Sequence, residues 1–379
     1  MKPVSRSLML SAGVLLALAG SAVPALSQTP IDASTLTPYV TGLEGPRGLA
    51  FGPDGQLYVA EGGAGGTNST GSTSCLQVPP PIGPYTGGAT ARISRIDSQG
   101  QRTTLATGLP SGADAMGDIA GVADVAFLDG NLYALLAGGG CSHGNPTQPN
   151  GIVKVNTADG TWKYITNLSV FYAEHPAAYP ETGDFEADGE PYSLIAVKGN
   201  LFSIEANHGQ LVRTTPQGAN RLVADISSHL GHIVPTGVAE ANGNFYVTNL
   251  GQFPITPAWE KLITLSRDVV FTDSTPGFAT DPEGLRLAAV RAGLSGAVSL
   301  KFGPDGLLYI LELSTAAATP TPGTGKVVRL DRNGALEDVI TGLTVPTGMT
   351  FGPDQALYIS NFGAAPTGAG QILRVAIPM

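Results

Sequence analysis

A strand–turn–strand unit recurs along the chain, and it restricts the fold more than any other feature. Three copies nearly superpose, each with an apolar run, a Gly-Pro-Asp turn and a second apolar run containing Leu-Tyr: Gly45–Val59, Val298–Ile310 and Pro346–Ile359. Pro presets φ at the first corner, and Asp bonds to its own backbone, so the turn joins antiparallel strands. Each copy therefore predicts a β-hairpin.

Three weaker copies keep the apolar spacing and change the turn: Gly121–Leu136, Pro191–Ile204 and Pro235–Val247. A loop and a third strand pattern follow each hairpin, and several repeats add a fourth strand that ends in Thr-Gly-Leu. Six repeats of four antiparallel strands predict an all-β fold, a six-bladed β-propeller. A β-sandwich and a parallel β-helix are the alternatives, and the uneven repeat spacing argues against the β-helix.

The two ends of the chain predict how the ring closes. The last repeat stops after its third strand, whereas the segment 38–43 near the N-terminus has a fourth-strand pattern with no earlier strands before it. We expect residues 39–43 to pair antiparallel with the strand around Ile372 to Val375 and complete the last blade. Such closure would hide strand edges that otherwise promote aggregation.

The first residues predict export. Lys2 and Arg6 precede an apolar run over residues 8–20, and Ala25-Leu26-Ser27 has the small-residue pattern of a cleavage site. The apolar run is too short to span a bilayer, and no later run reaches the necessary length. We expect a signal peptide over residues 1–27, with an uncleaved membrane anchor as the alternative.

The remaining residues, 28–379, are expected to form one domain that is secreted, either periplasmic or extracellular. Two of the 20 Lys and Arg residues lie in the leader, which leaves 18 against 30 Asp and Glu residues and a formal charge of −12. This acidity argues against nucleic acid or an anionic membrane surface as a partner. We expect a monomer that does not insert into membranes.

The chain has two cysteines, Cys75 and Cys141, and each lies in the long loop after the second strand of adjacent repeats. Both loops should lie on the same rim, and export favours oxidation. We predict that the two form a disulfide. Cys141 is also close to His143, but two cysteines and one histidine fall short of a structural zinc site.

The residues Pro46 to Gly55, Leu57 to Gly63, Glu190-Pro191-Tyr192 and Val234 to Val238 together resemble the ScyD/ScyE family of exported propeller proteins with NHL-like repeats. The resemblance covers essentially the whole mature chain. It implies a propeller that works outside the cytoplasm. It implies no catalytic residues, because the family has no agreed set.

Two rings of positions are predicted at one mouth of the central channel. The first is at the starts of the first strands: Arg47, Ala123, Tyr192, Thr236, Val298 and Thr347. Asp124, one place further, supplies the only nearby carboxylate, whereas a hard cation needs several oxygen ligands. This ring therefore argues against a gluconolactonase-like hydrolase.

The second ring is at the ends of the second strands: Glu61, Leu136, Glu205, Asn249, Glu312 and Asn361. One interpretation is that these side chains cap the following loops. The other is an acidic channel mouth that binds a cation or a small hydroxyl-rich or cationic molecule. Three carboxylates around one funnel would repel one another, so at least one should have a raised pKa unless a donor or cation compensates.

An acidic loop precedes the third repeat, where Asp184, Glu186 and Asp188 are followed by Gly189. This spacing imitates the first half of a calcium loop, but Ile195 stands where a bidentate Glu would close it. A weak calcium site and a solvated acidic loop are both compatible with the pattern. Calcium is thus a possible cofactor, and no other is indicated.

Two classes of function remain open. The first is a non-catalytic binding or accessory propeller that recognises a small molecule or a protein at one face. Its predicted site combines the polar members of both rings: Arg47, Glu61, Asp124, Tyr192, Glu205, Asn249, Glu312 and Asn361. The second is an exported lactonase, lyase or quinone-dependent dehydrogenase that uses the same mouth. The fold alone cannot decide, since propellers have both roles.

Overall fold

The computed structural model describes residues 29–266, 286–365 and 367–378, so the predicted leader lies outside the described residues. The strands form six sheets, each with four or five strands, arranged as blades in a ring. This confirms the six-bladed β-propeller. Each first strand begins at the face where the second strand ends, and we call this the top face. The short hairpin turns lie at the opposite face.

The first three blades follow the chain in order and have these strand bounds. In blade 1 they are Pro46–Phe51, Leu57–Glu61, Thr86–Ile96, Arg102–Ala113 and the short Ile119–Ala120. In blade 2 they are Val122–Leu128, Asn131–Leu136, Gly151–Val155 and Trp162–Asn167. In blade 3 they are Pro191–Val197, Asn200–Glu205, Gln210–Thr214 and Asn220–Asp225.

The other three blades include two segments from the N-terminus. The blade 4 strands are Pro235–Ala241, Asn244–Asn249, Glu260–Ser266 and Arg286–Leu294. The blade 5 strands are Ala297–Phe302, Leu308–Glu312, Gly325–Leu330, Leu336–Leu343 and the parallel Ile31–Asp32. The blade 6 strands are Gly348–Phe351, Leu357–Asn361, Gly370–Val375 and Val40–Leu43. The described helices are Leu168–Glu174, Ser227–Leu230 and the 3-10 turn Ala33–Thr35.

The N-terminal strand closes the ring. Val40 pairs with Ile372 and Thr41 with Gln371 in antiparallel register, and Leu43 is fully buried. The predicted pairing is therefore confirmed. A strand from before the first blade completes the last one and pairs with the edge of the third strand, Gly370–Val375, which would otherwise be exposed.

The residues of the Gly-Pro-Asp turn contact the tyrosine of the second strand, in addition to setting the backbone conformation of the turn. The Asp54 carboxylate accepts a hydrogen bond from the Tyr58 hydroxyl at 2.8 Å, and the last repeat has the same contact between Asp354 and Tyr358 at 3.0 Å. Glycine precedes the turn because a Cβ at Gly52 would lie 2.6 Å from Asp54 and 2.7 Å from the Tyr58 ring. Each such tyrosine also packs edge-to-face on the first-strand phenylalanine of the next blade.

Cys75 and Cys141 form a disulfide, as predicted, and it joins top-face loops of blades 1 and 2. Within the described residues, no helix is long and apolar enough to cross a membrane.

Candidate functional site

The first strands of five blades contain a β-bulge just after they begin. In blade 3, Pro191 pairs with Glu205 and Ser193 with Ile204, so Tyr192 is the extra residue. The same register shift occurs in blades 1, 2, 4 and 5. A bulge redirects a side chain out of the regular alternation of a strand. Five of the six positions in the predicted ring at strand-one starts coincide with these bulges, and the sixth, Thr347, directly precedes the first strand of blade 6.

A small cavity lies in the central channel below the top face. Its wall includes Arg47, Asp124 and Tyr192 from the predicted site, together with Glu190 and Lys301. It contains about 30 Å³ of space that water can enter. That volume holds about two water molecules, whereas pockets for small-molecule ligands are on the order of ten times larger.

Arg47 lies at the mouth of this channel, with only 13% of its side chain exposed. Its Nη2 group donates to the main-chain oxygen of Ile119 and lies 3.1 Å from the Asp118 carboxylate. Burial alone would lower the pKa of the guanidinium, but Asp118, Tyr192 and Glu190 raise it. The mouth therefore has a permanent positive charge surrounded by acidic groups.

Asp124 belongs to the channel wall and to a contact between blades. Its Oδ2 atom accepts from the main-chain N–H of Leu194 in blade 3 at 2.8 Å. Burial raises its pKa to about 6, against the opposing effect of Lys301. Glycine is required opposite it, since a Cβ at Gly48 would lie 1.8 Å from Oδ1. Asp124 thus joins blades 1, 2 and 3 around the channel.

Glu190 was not among the predicted site residues, but it lies at the mouth beside Arg47 and Tyr192. Burial raises its pKa well above the usual range, and the nearby carboxylates of Glu186, Asp118 and Asp184 raise it further. Burial also raises the pKa of Tyr192. Sequence inspection could have included Glu190 because it directly precedes the bulged strand.

The second predicted ring lies behind the first and holds the loops that enter each blade. Each of four side chains accepts a hydrogen bond from a main-chain N–H one to four residues before the first strand of its blade: Glu61 from Glu44, Glu205 from Glu190, Glu312 from Ser295, and Asn361 from Thr344. The Asn249 side chain instead accepts a hydrogen bond from the main-chain N–H of Lys261 and donates one to the main-chain oxygen of Ile233. This geometry favours the loop-capping interpretation, and none of the five side chains lines the channel cavity.

The three glutamates of this ring have different charge partners. Glu61 accepts from Arg92 Nη2 at 2.8 Å and from Ser94. Burial raises the pKa of Glu205, but the nearby His208 and bonded N–H groups outweigh burial and lower it. Glu312 has only Lys326, whose Nζ lies 3.7 Å away, and burial raises its pKa to about 7. One glutamate of this ring was expected to have a raised pKa, and that glutamate is Glu312. The cause is burial rather than repulsion between the three glutamates.

We expect Glu205→Gln and Glu312→Gln to change stability at pH 8 in opposite directions. Glu205 has a folded-state pKa below its unfolded value, so its contribution is present above about pH 4.5, and the substitution removes it. Glu312 has a folded-state pKa of about 7, so its charge costs stability as pH rises from about 4.5 through 7. Glutamine should therefore raise the free energy of unfolding at pH 8 by up to about 3 kcal/mol.

Urea denaturation at pH 8 and pH 5 measures both effects. At pH 5 the gain from Glu312→Gln should shrink to under about 1 kcal/mol, because the folded-state carboxyl is then protonated and only the ionisation of the unfolded state still costs stability. A loss of stability at pH 8 in both variants would contradict the assignment for Glu312.

The loop that resembled a calcium site directs its carboxylates to three different partners. Asp184 lies 3.2 Å from His232 Nε2, and Asp188 accepts from Ser142 at 2.6 Å. Glu186 lies 2.9 Å from His143 Nε2. Across the described ranges, no three His, Cys, Asp or Glu side chains form a group that could hold a metal ion. These residues do not fit calcium, and we derive no chemistry from it.

His143 and Glu186 are part of a buried cluster that sequence reasoning missed. The Tyr85 hydroxyl donates to Glu186 at 3.0 Å, and the Tyr85 ring packs edge-to-face on His143. Burial alone would lower the pKa of His143, but Glu186 raises it. This cluster fixes the acidic loop of blade 3 against loops of blades 1 and 2. The only sequence signal was a histidine close to Cys141.

No family model matches the chain, and no curated protein matches it. Its structural neighbours include a putative oxidoreductase (glucose dehydrogenase) from Thermus thermophilus, with 18% identity and a TM-score of 0.54 over 90% of this chain and 99% of the other. They are six-bladed β-propellers.

Two further neighbours have similar overlap. One is the PQQ-bound aldose sugar dehydrogenase of Streptomyces coelicolor, with 13% identity, a TM-score of 0.53, and coverage of 90% and 97%. The other is a calcium-binding protein, regucalcin, from Agrobacterium tumefaciens, with 13% identity, a TM-score of 0.51, and coverage of 92% and 96%. At these identities the likeness shows the fold alone.

Proposed function

We propose that this chain is an exported, non-catalytic binding or accessory propeller of the ScyD/ScyE type that recognises its ligand or partner at the top face. The observation that carries the proposal is the small channel below the mouth, with about 30 Å³ open to water. A substrate-sized molecule does not fit inside it. Recognition would therefore occur on the outer surface of the mouth and its surrounding loops.

Of the predicted residues, Arg47 and Tyr192 are the ones proposed to contact a ligand, together with Glu190 and Asp118. Asp124 would hold the channel wall below them. The five members of the second ring would act indirectly, by fixing the loops around the mouth: Glu61, Glu205, Asn249, Glu312 and Asn361. Recognition by a rigid, preorganised face keeps the entropic cost of binding low.

Export and the monomeric state are also proposals. The Cys75–Cys141 disulfide supports export, because disulfides persist in oxidising compartments. The formal charge of −12 supports a monomer, because copies with the same net charge repel one another.

A photo-crosslinking amino acid at Met116 should capture a binding partner in cells that export the protein. Met116 is 71% exposed and lies in the top-face loop beside Asp118. The matched control carries the same amino acid at Arg332, which is exposed on a hairpin at the opposite face. Intact-mass analysis after irradiation should show an adduct from position 116 and none from position 332.

Equal capture at both positions would contradict recognition at the top face. Turnover would contradict the non-catalytic role, and it can be assayed with glucono-δ-lactone and with glucose plus PQQ, calcium and a dye. The deciding result would be turnover by the wild type that Glu190→Gln abolishes.

A further inference from the structure

The charged residues in the loops of the top face, apart from histidine, are all acidic in the part of the chain that the structure describes. These loops connect second to third strands, and fourth strands to the next blade. Their described residues include nine Asp and Glu residues and no Lys or Arg. Six of the nine lie in the connection 168–190, and the others are Glu44, Asp114 and Asp118. The described hairpins of the opposite face contain seven Asp residues, but they also contain two cations, Lys198 and Arg332.

Cations at nearby strand ends pair with two of the nine carboxylates, Asp118 and Glu44, and Lys261 lies over the Trp259 ring. Arg47 lies 3.1 Å from Asp118, and Lys326 lies 2.8 Å from Asp338. Arg92 bridges Glu44 at 3.3 Å and the buried Glu61. Within the connection 168–190, Glu174 is exposed and Glu181 is partly exposed, whereas burial raises the pKa of Glu190 well above its usual range. The uncompensated carboxylates that reach solvent on the top face are therefore Asp114, Glu174 and Glu181.

The same loops expose most of the large apolar side chains that reach solvent. Among the described residues, seven large hydrophobic side chains are classed as exposed, and six lie on top-face loops: Leu76, Met116, Val170, Tyr179, Phe253 and Trp259. The seventh, Val290, lies in an outer strand. Exposed apolar groups gathered on one face indicate an interaction site.

An acidic group and two exposed aromatic residues lie on two loops that are in contact. Gln252 Nε2 lies 3.4 Å from Glu181 Oε2, which joins the loop of Phe253 to the loop of Tyr179. These two aromatic side chains are 56% and 59% exposed. Their position beside Glu181 provides apolar contact area next to a carboxylate.

We propose that the top face docks a basic polypeptide segment in which Lys or Arg residues are interspersed with apolar side chains. The carboxylates would attract the cations, and Tyr179, Phe253 and Met116 would pack on the apolar groups. A small cation fits less well, because these groups spread over several loops and the channel admits only water. Nucleic acid and anionic lipid would be repelled. This inference rests on the proposed function and names its partner.

The test uses a fluorescein-labelled peptide with four Lys-Leu-Gly repeats and measures fluorescence anisotropy at 50 mM NaCl. The wild type should bind it, and a Glu-Leu-Gly peptide should not bind. Glu174→Gln with Glu181→Gln should weaken binding at least fivefold, and Tyr179→Ser with Phe253→Ser at least tenfold. The control, Asp129→Asn with Asp159→Asn on opposite-face hairpins, should bind like the wild type.

Several results would overturn the proposal: no binding of the lysine peptide, equal binding of the glutamate peptide, or full displacement by spermine at equal charge concentration. A partner captured at Met116 together with no binding of the lysine peptide would leave the proposed function standing and reject its partner chemistry. Turnover abolished by Glu190→Gln would instead reject the proposed function itself. Melting curves of each variant identify any that fail to fold.

Discussion

Deleting residues 28–43 is expected to leave the protein aggregated or unable to fold cooperatively. The deletion removes the strand Val40–Leu43, and with it the buried side chains of Val40 and Leu43. Each such side chain contributes about 1.5–3 kcal/mol by burial, and the ladder and the Tyr39–Tyr358 ring contact are lost as well. The total is comparable to the net stability of a typical domain. The exposed edge of Gly370–Val375 would then pair with other copies.

A shorter deletion, of residues 28–36, is the matched control. It removes Ile31–Asp32 and the 3-10 turn but keeps the closing strand, so the product should stay soluble with a modestly lower melting temperature. Size-exclusion chromatography and thermal melts compare the two deletions with residues 28–379. A soluble, equally heat-stable protein lacking residues 28–43 would show that the strand is dispensable.

Replacing both cysteines, by Cys75→Ser with Cys141→Ser, is expected to lower the free energy of unfolding by up to about 4 kcal/mol in the chain-entropy model. The bond closes a segment of 66 residues, so its loss releases a large entropy to the unfolded chain. It also removes the covalent link between the loop 62–85 and the neighbouring loop of blade 2, where the hydrogen bond from Thr70 to the Cys141 carbonyl remains. For a chain of this length, the loss corresponds to a melting temperature lower by about 5 °C.

Wild-type protein treated with a reductant should melt like the double variant, which separates the disulfide from any effect of the serine side chains. The single variant Ser74→Ala, next to Cys75, should melt like the oxidised wild type. Two free thiols in unreduced protein, measured by mass spectrometry, would contradict the bond.

The repeat motif was enough to predict the fold because its information is local. Pro, Asp and Gly determine the turn within a few residues, and the apolar alternation determines which side of each strand is buried. The last repeat lacks a fourth strand, and residues 38–43 form a strand pattern that belongs to no other repeat. Together these two observations predicted that the N-terminal strand completes the last blade. The disulfide followed from equivalent loop positions in adjacent repeats. The leader 1–27 lies outside the described residues and stays a prediction.

The site was less predictable, because neighbouring positions differ in direction. A bulge redirects the Tyr192 side chain, so that it faces the channel. Glu205 pairs with Pro191, the residue just before the bulge, and its side chain instead caps the loop that enters the blade. Both are polar residues at the same face, and nothing in their local sequence distinguishes the two orientations. The register and the bulge decide, and they depend on the packing of whole blades.

By itself, the sequence determined the six blades, the closure by the N-terminal strand and the pairing of the two cysteines. Only the tertiary structure decided which charges meet. Glu186 contacts His143, which is 43 residues away in the sequence, and Tyr85, which is 101 residues away. These contacts join the acidic loop to two other blades. Burial raises the pKa of Glu190, and so does Asp118, which lies on the loop that follows another blade. Electrostatic interactions depend on distance and burial, which local patterns do not encode.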